Sequence, residues 1–94
     1  MEGTNYPVEM ISVCNAEGNL TPIRFRYELE DQSVRTVQIA EVISMRNISH
    51  VGSETMVFLC RASMEGESCL VELKYSIRTH RWKMFRTICS DLSN

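Results

Sequence analysis

Basic and aromatic residues alternate near the end of the chain, and together they could bind an anion. Between residues 74 and 86 the sequence carries five Lys or Arg residues and no acid, against a net charge of -2 for the whole chain. Lysine and arginine attract phosphates and other anions, and a neighbouring aromatic ring can stack on an unpaired nucleic-acid base. The candidate binding residues are Lys74, Arg78, Arg81, Trp82, Lys83 and Arg86.

Two plainer interpretations of the same cluster remain open. The cluster could be a solvated outer face of a sheet, with Trp82 closing the end of a barrel. It could also pair with the acidic first half of a neighbouring copy, since residues 1–47 hold seven acidic and four basic side chains. A solvated face, a contact between copies and a ligand site all fit the pattern.

Catalytic chemistry has little support in the sequence. Cysteine–histidine catalysis needs a partly exposed thiolate beside an imidazole. The two histidines, His50 and His80, lie in turn-like segments, and no nucleophile signature accompanies them. The acids at 28–31 and 65–67 fall in polar turns, where a solvated carboxylate does not gain the raised pKa of an acid catalyst. We therefore predict a non-enzymatic protein without a cofactor.

The cysteines favour a reduced, metal-free protein. Four cysteines in 94 residues are too sparse for a disulfide scaffold, and none forms the Cys-x-x-Cys pair typical of zinc sites. No signal peptide is recognisable, because the first seven residues are polar and the apolar stretch after them contains Glu9. We expect reduced, mostly buried cysteines in a cytoplasmic protein. The cysteines concerned are Cys14, Cys60, Cys69 and Cys89.

An alternation of apolar and polar residues at every second position dominates the chain and predicts strands. The alternation is clearest from Ile23 to Leu29 and from Cys69 to Ile77. Residues 55–62 are apolar on both faces, which predicts a central strand. Six strands are predicted, near residues 8–14, 23–29, 34–43, 55–62, 69–77 and 82–89.

The third predicted strand departs from a regular alternation of apolar and polar residues. Its alternation slips near Ala40 and Glu41, which a bulge would explain, and a single helical turn within 37–46 is the alternative. Residues 47–53 are predicted to be a polar connection, and 90–94 a frayed tail. The predicted core comprises Val8, Met10 or Ile11, Val13, Ile23, Phe25, Tyr27, Val37, Ile39, Met56, Phe58, Cys60, Val71, Leu73, Tyr75 and Phe85.

Length and composition limit the class of protein. Ninety-four residues, of which 44% are apolar and 23% charged, fit one globular domain rather than two domains or a disordered chain. The longest apolar run, Met56 to Cys60, is too short to cross a membrane. A small antiparallel sheet protects its edges best by closing on itself. We therefore predict one all-β domain over 1–94, a six-stranded antiparallel sheet closing into a small SH3/Sm-like barrel.

The order of the strand residues resembles the core of WYL-type domains, small β-barrels found in bacterial regulators, and short stand-alone proteins of Gram-positive bacteria with that core. The resemblance covers residues 21–78 and consists of Ile-x-Phe-x-Tyr at 23–27, Val-x-Ile at 37–39, an apolar strand at 56–59 and Leu-x-Tyr-x-Ile at 73–77. The Trp-Tyr-Leu tripeptide that names the family is absent, and the proline common in the third strand is replaced by Ala40 or Glu41. The resemblance implies a barrel and a regulatory context, and it assigns no ligand contact to a particular position.

Two functions are predicted from these patterns. The first is a regulatory or accessory domain that binds a protein partner or an anionic small ligand. The second is binding of single-stranded nucleic acid through the basic and aromatic C-terminal hairpin. No contact with a membrane is expected, and exposed sheet edges make a homodimer compatible with the sequence.

Overall fold

Six antiparallel strands close into a small barrel in the computed structural model, which describes residues 5–89. The strands are β1 (Tyr6–Cys14), β2 (Leu20–Glu28), β3 (Val34–His50), β4 (Ser53–Met64), β5 (Glu67–Ser76) and β6 (Arg81–Cys89). Each strand pairs with the next along the chain, and β6 pairs with β1. The predicted all-β barrel is therefore confirmed, whereas the predicted tail 90–94 lies outside the described residues. Residues 5–89 contain no helix that could span a membrane.

The turn between β1 and β2 forms where the sequence supplies the residues that a hairpin needs. The side-chain Oδ1 of Asn15 accepts hydrogen bonds from the backbone N–H groups of Glu17 and Asn19, at 3.0 and 2.9 Å. Gly18 has a φ of 90°, a left-handed conformation that costs glycine little because it lacks a Cβ. The hairpin predicted between the first two strands is present.

The barrel interior is filled by apolar side chains from β2 to β6, and half-buried side chains of β1 pack against them. Burying each large side chain contributes about 1.5–3 kcal/mol. Most of the predicted core is buried or half-buried, including Phe25, Phe58 and Leu73. The predicted core omitted Ala62, Trp82 and Met84, which are all buried. The buried core cluster comprises Phe25, Val37, Phe58, Cys60, Ala62, Val71, Leu73, Trp82 and Met84.

The predictions for Ile23 and Val13 as core residues are wrong, since both side chains are exposed. Ile11 pairs with Arg24 whereas Ser12 pairs with Pro22, so Ile23 is an extra residue in β2. Such a bulge breaks the alternation. Pro22 therefore points inward, together with Phe25, while Ile23 is turned outward.

The prediction for Phe85 as a core residue is also wrong, because alternation from the buried Trp82 and Met84 places it on the outer side of β6. Glu72 pairs with Arg86 and Leu73 pairs with Met84, which leaves Phe85 as an extra residue in β6. Its ring is half-buried beneath the Lys74 ammonium, 3.9 Å from the ring centroid, rather than inside the barrel. Arg86, expected from simple alternation to share a face with Trp82, is exposed instead.

Strand β3 continues well beyond its predicted end. The slip near Ala40 and Glu41 is a true irregularity, because the pairing with β4 shifts between Ile39 and Glu41, and again between Val42 and Ser44. The alternative helical turn within 37–46 is not formed. The prediction of a polar connection at 47–53 is wrong for most of its length, since β3 continues to His50 before the turn into β4.

The expectation of four reduced cysteines is wrong for Cys69 and Cys89, and the expectation of burial is wrong for Cys14. Cys69 of β5 and Cys89 of β6 lie directly opposite each other and form a disulfide bond. Cys14 is a free thiol on the surface, and Cys60 is a free thiol inside the barrel. Only Cys60 is both reduced and fully buried, as expected.

Candidate anion-binding surface

A row of side chains that crosses four strands brings cations together on the outer surface of the barrel. The register places Arg46 of β3 opposite Val57 of β4, Val57 opposite Lys74 of β5, and Lys74 opposite Lys83 of β6. Directly opposite residues share one face of a sheet. Arg46, Lys74 and Lys83 therefore lie along one line on the outside.

Neighbouring positions extend this line into a continuous charged surface. Arg86 lies opposite Glu72, and Arg81 lies opposite Ser76, on the same outer side of β5 and β6. The surface holds five cations and one acid, and Arg78 follows in the adjoining turn. We call this surface the basic face, and define it by Arg46, Glu72, Lys74, Arg81, Lys83, Phe85 and Arg86.

The single acid of the basic face forms ion pairs with two of its arginines, and the three groups together keep one positive charge. A carboxylate oxygen of Glu72 lies 3.0 Å from Nε of Arg86, and the other lies 3.7 Å from Nη2 of Arg46. The Glu72 side chain is only 13% exposed, so both ion pairs are partly shielded from water. No salt bridge to another residue within 5–89 is formed by the remaining cations, Lys74, Arg78, Arg81 and Lys83.

Trp82 lies on the opposite side of β6 from the cations. Its side chain is buried. Its ring centroid lies 5.4 Å from that of Phe58 and 4.9 Å from that of Tyr75. The structure brings Lys74 and Lys83 together but leaves Trp82 in the core. The ring that sequence reasoning placed beside the cations as a stacking partner is therefore not on the basic face.

Arg46 and Glu72 belong to the basic face although neither was among the predicted binding residues. Arg46 was expected at the edge of a polar connection, and it joins the face only because β3 continues to His50. Glu72 was recognisable as an outward residue of β5 from its alternation. Phe85 follows Arg81 and Lys83 at alternate positions, so its place on this face agrees with simple alternation, and the bulge in β6 instead brings Arg86 to the same face.

The cysteine–histidine pairs considered from the sequence do not come together. His50 lies at the tip of the β3–β4 hairpin, opposite Ser53, whereas Cys60 faces Val42 further along the same hairpin. At about 3.3 Å per strand residue, these positions are far beyond hydrogen-bond reach. The Nδ1 atom of His80 is instead 2.9 Å from the Tyr75 hydroxyl.

The two free thiols should differ sharply in reactivity. Burial raises the pKa of the Cys60 thiol to about 11, so at neutral pH it carries almost no reactive thiolate. We expect native protein treated with iodoacetamide to be modified once, at Cys14, which is exposed. Peptide mass mapping should find Cys60 modified only after denaturation. Rapid native labelling of Cys60 would contradict this assignment.

The acidic clusters also lack the environment of a catalytic carboxyl. Asp31 accepts hydrogen bonds from the hydroxyl and the backbone N–H of Ser33, at 2.6 and 2.9 Å. These bonds lower the pKa of Asp31, the opposite of what a general acid requires. Glu65 forms a salt bridge with Arg35, with 3.0 Å between Oε2 and Nε. Asp31 is therefore bound within its own turn, and Glu65 joins its turn to β3.

Three groups of metal-ligating type meet at one end of β5 and β6. A carboxylate oxygen of Glu67 and the sulfurs of Cys69 and Cys89 lie within 4.8 Å of one another. The two sulfurs are bonded to each other, so they are not the thiolates that bind zinc.

A shallow groove of about 690 Å³ lies on another part of the barrel, along β1, β2 and the start of β3. Two of its charged side chains, Glu9 and Arg26, neutralise each other in a salt bridge. Arg24 is the remaining cation of the groove and has no salt bridge within residues 5–89. Within residues 5–89 the groove therefore presents one cation without a salt bridge, whereas the basic face presents three, Lys74, Arg81 and Lys83.

No protein-family model matches the chain, and no curated protein or solved structure was found to be similar to it. The fold and the surface define a small closed all-β barrel with a basic outer face.

Proposed function

We propose that the protein is a non-enzymatic binding module, of regulatory or accessory type, whose basic face binds an acidic segment of a protein partner. The observation that carries this proposal is the concentration of cations without salt-bridge partners within residues 5–89: Lys74, Arg81 and Lys83 on the face and Arg78 beside it. The regulatory role is what the resemblance to WYL-type domains implies.

The pairing of Lys74 with Lys83 supports an anionic partner. Like charges directly opposite each other destabilise a sheet, and these two residues are direct cross-strand partners. An anion placed between the two ammonium groups would turn this repulsion into attraction. Glu72 does not provide this neutralisation, because its carboxylate contacts Arg46 and Arg86.

The arrangement favours an acidic protein segment over single-stranded nucleic acid. Proteins that bind single strands without sequence preference stack bases on exposed aromatic rings. Trp82 is inside the barrel, and the Phe85 ring already lies under the Lys74 ammonium. Carboxylates of a protein partner need only the cations, which the face supplies.

A charge-reversal pair tests the proposal. A fluorescein-labelled oligoglutamate peptide is titrated with protein, and fluorescence anisotropy is followed at low and high salt. We expect Lys83→Glu to weaken binding by about tenfold, equivalent to about 1.4 kcal/mol. Arg24→Glu changes the net charge equally but lies in the groove on β1–β3, so it should leave the affinity within about twofold.

Removing the acid of the face should have the opposite effect. Glu72→Gln releases Arg46 and Arg86 from their ion pairs, and we expect it to strengthen peptide binding. Equal losses for Lys83→Glu and Arg24→Glu would overturn the proposal, because binding would then follow net charge alone. Tighter binding of an oligothymidine than of the peptide, with the same sensitivity to Lys83→Glu, would support the nucleic-acid alternative instead.

A further inference from the structure

The second half of β3 has a strand neighbour on one side only. β2 pairs with β3 over residues 34–38, whereas β4 continues to pair with β3 as far as His50. Among the described strands, β3 approaches β2 and β4 and no other. The backbone from Ser44 to His50 therefore presents a free edge within the described part of the chain.

This edge lacks most of the features that keep edges from pairing. Natural proteins prevent an edge strand from pairing with another chain by means of proline, lysine, bulges or a short strand length. In β3 the irregularities lie before Ser44, and from Ser44 to His50 the register with β4 is unbroken. This stretch contains no proline or lysine, and it exposes Met45 and Ile48. Such an edge is a template for another strand.

We propose that a second copy of this chain covers the edge, with the two β3 strands pairing antiparallel about a twofold axis at Asn47. The inference is independent of the proposed function. Asn47 is the midpoint of the regular stretch 44–50, so an axis there pairs all seven residues with their symmetry mates. A twofold interface uses the same patch on both copies, as a single exposed edge requires.

Charge favours a second copy over an acidic or basic partner at this edge. Arg46 is the only Lys, Arg, Asp or Glu between Ser44 and His50, and it already contacts Glu72 of its own chain. A charged segment would therefore gain little electrostatic attraction at this edge. An uncharged strand with exposed apolar side chains matches the edge, and the same edge of a second copy has that character.

The proposed axis also keeps like charges apart. With Asn47 on the axis, Arg46 of one copy lies opposite Ile48 of the other, and Met45 lies opposite Ser49. An axis at Arg46 would place two arginines directly opposite each other, which destabilises a sheet. The dimer would then have one continuous sheet, formed by β3 to β6 of both copies.

The interface is small, so the dimer should depend on concentration. Standard interfaces use about 20–30 residues from each partner, and one strand edge supplies fewer. We therefore expect a dissociation constant on the order of micromolar. Sedimentation velocity over a concentration series should show a monomer–dimer equilibrium.

A matched pair of variants at Ile48 tests both the dimer and its register. Ile48→Lys would place a lysine opposite Arg46 of the second copy at two symmetric positions, and we expect about tenfold or greater weakening of the dimer. Ile48→Glu would create two ion pairs at the same positions, so the dimer should be at least as stable as the wild type. Circular dichroism checks that both variants are folded.

A cross-link on the axis provides a second measurement. In a Cys14→Ser background, Asn47→Cys would bring identical thiols together, and mild oxidation should give a covalent dimer. Thr21→Cys, on an exposed position of β2, should not cross-link. A wild-type protein that stays monomeric at the highest concentration would overturn the proposal. Equal dimerisation of the lysine and glutamate variants, or cross-linking at Thr21→Cys as fast as at Asn47→Cys, would also overturn it.

Discussion

Replacing Phe58 by alanine is expected to destabilise the protein by about 4 kcal/mol. Phe58 is 2% exposed, pairs across the sheet with Leu73, and its ring centroid lies 5.4 Å from that of Trp82. Removing the ring leaves a cavity in the middle of the core, which a closed barrel cannot easily collapse to fill. Urea denaturation followed by Trp82 fluorescence measures the change in unfolding free energy.

An exposed residue provides the control for this measurement. Ile88→Ala removes apolar atoms from a side chain that is 59% exposed, and it should change the unfolding free energy by no more than about 0.5 kcal/mol. If Phe58→Ala does not fold, the milder substitution Phe58→Leu can be measured instead. We expect it to lower the unfolding free energy by about 1–2 kcal/mol. The described core would be contradicted if the Phe58 variants lost no more unfolding free energy than Ile88→Ala.

Reducing the Cys69–Cys89 disulfide is expected to lower the unfolding free energy by about 3 kcal/mol, which is the second large effect. The bond joins cysteines separated by 20 positions in the sequence, and so it closes a loop in the unfolded chain. Opening that loop increases the conformational entropy of the unfolded state. Urea denaturation with and without a phosphine reductant measures the difference.

A surface cysteine separates this effect from a general effect of the reductant. Cys14→Ser should unfold like the wild type under oxidising conditions, and should lose the same stability on reduction. Cys89→Ser should be less stable than wild type under oxidising conditions and insensitive to the reductant. Identical unfolding curves for reduced and oxidised wild-type protein would contradict a stabilising disulfide.

The strands were predictable because burial of one face imposes a period of two on the sequence. In β5 the alternation of Leu73 with Lys74 correctly separates the barrel interior from the basic face. In β4, Val57 and Phe58 are both buried although they point to opposite faces, as expected for a strand with neighbours on both sides.

The bulges were harder to predict, because a bulge is a property of two paired strands. The extra residue in β6 became apparent only from its register with β5, and that register turns Arg86 outward. The slip near Ala40 was predictable because apolar residues there break the alternation within β3 itself. At Ile23 the alternation continues without a break, so the sequence carried no sign of the irregularity.

The end of β3 shows how pairing overrides local preference. Asn47, Ser49 and His50 lack the β-branched and aromatic character that is typical of strands, and strand preference depends strongly on context. Pairing with β4 supplies backbone hydrogen bonds along the whole stretch and keeps it extended. The same pairing adds Arg46 to the basic face and creates the free edge of the proposed dimer.

The sequence by itself determined that the protein is an all-β barrel and which residues carry its positive charge. The tertiary structure decided which cations meet, that Trp82 is inside, and that Cys69 lies against Cys89. The physical reason is that alternation is a local consequence of burying one face of a strand. Cross-strand partners depend on register, which turns, bulges and the closure of the whole sheet set together.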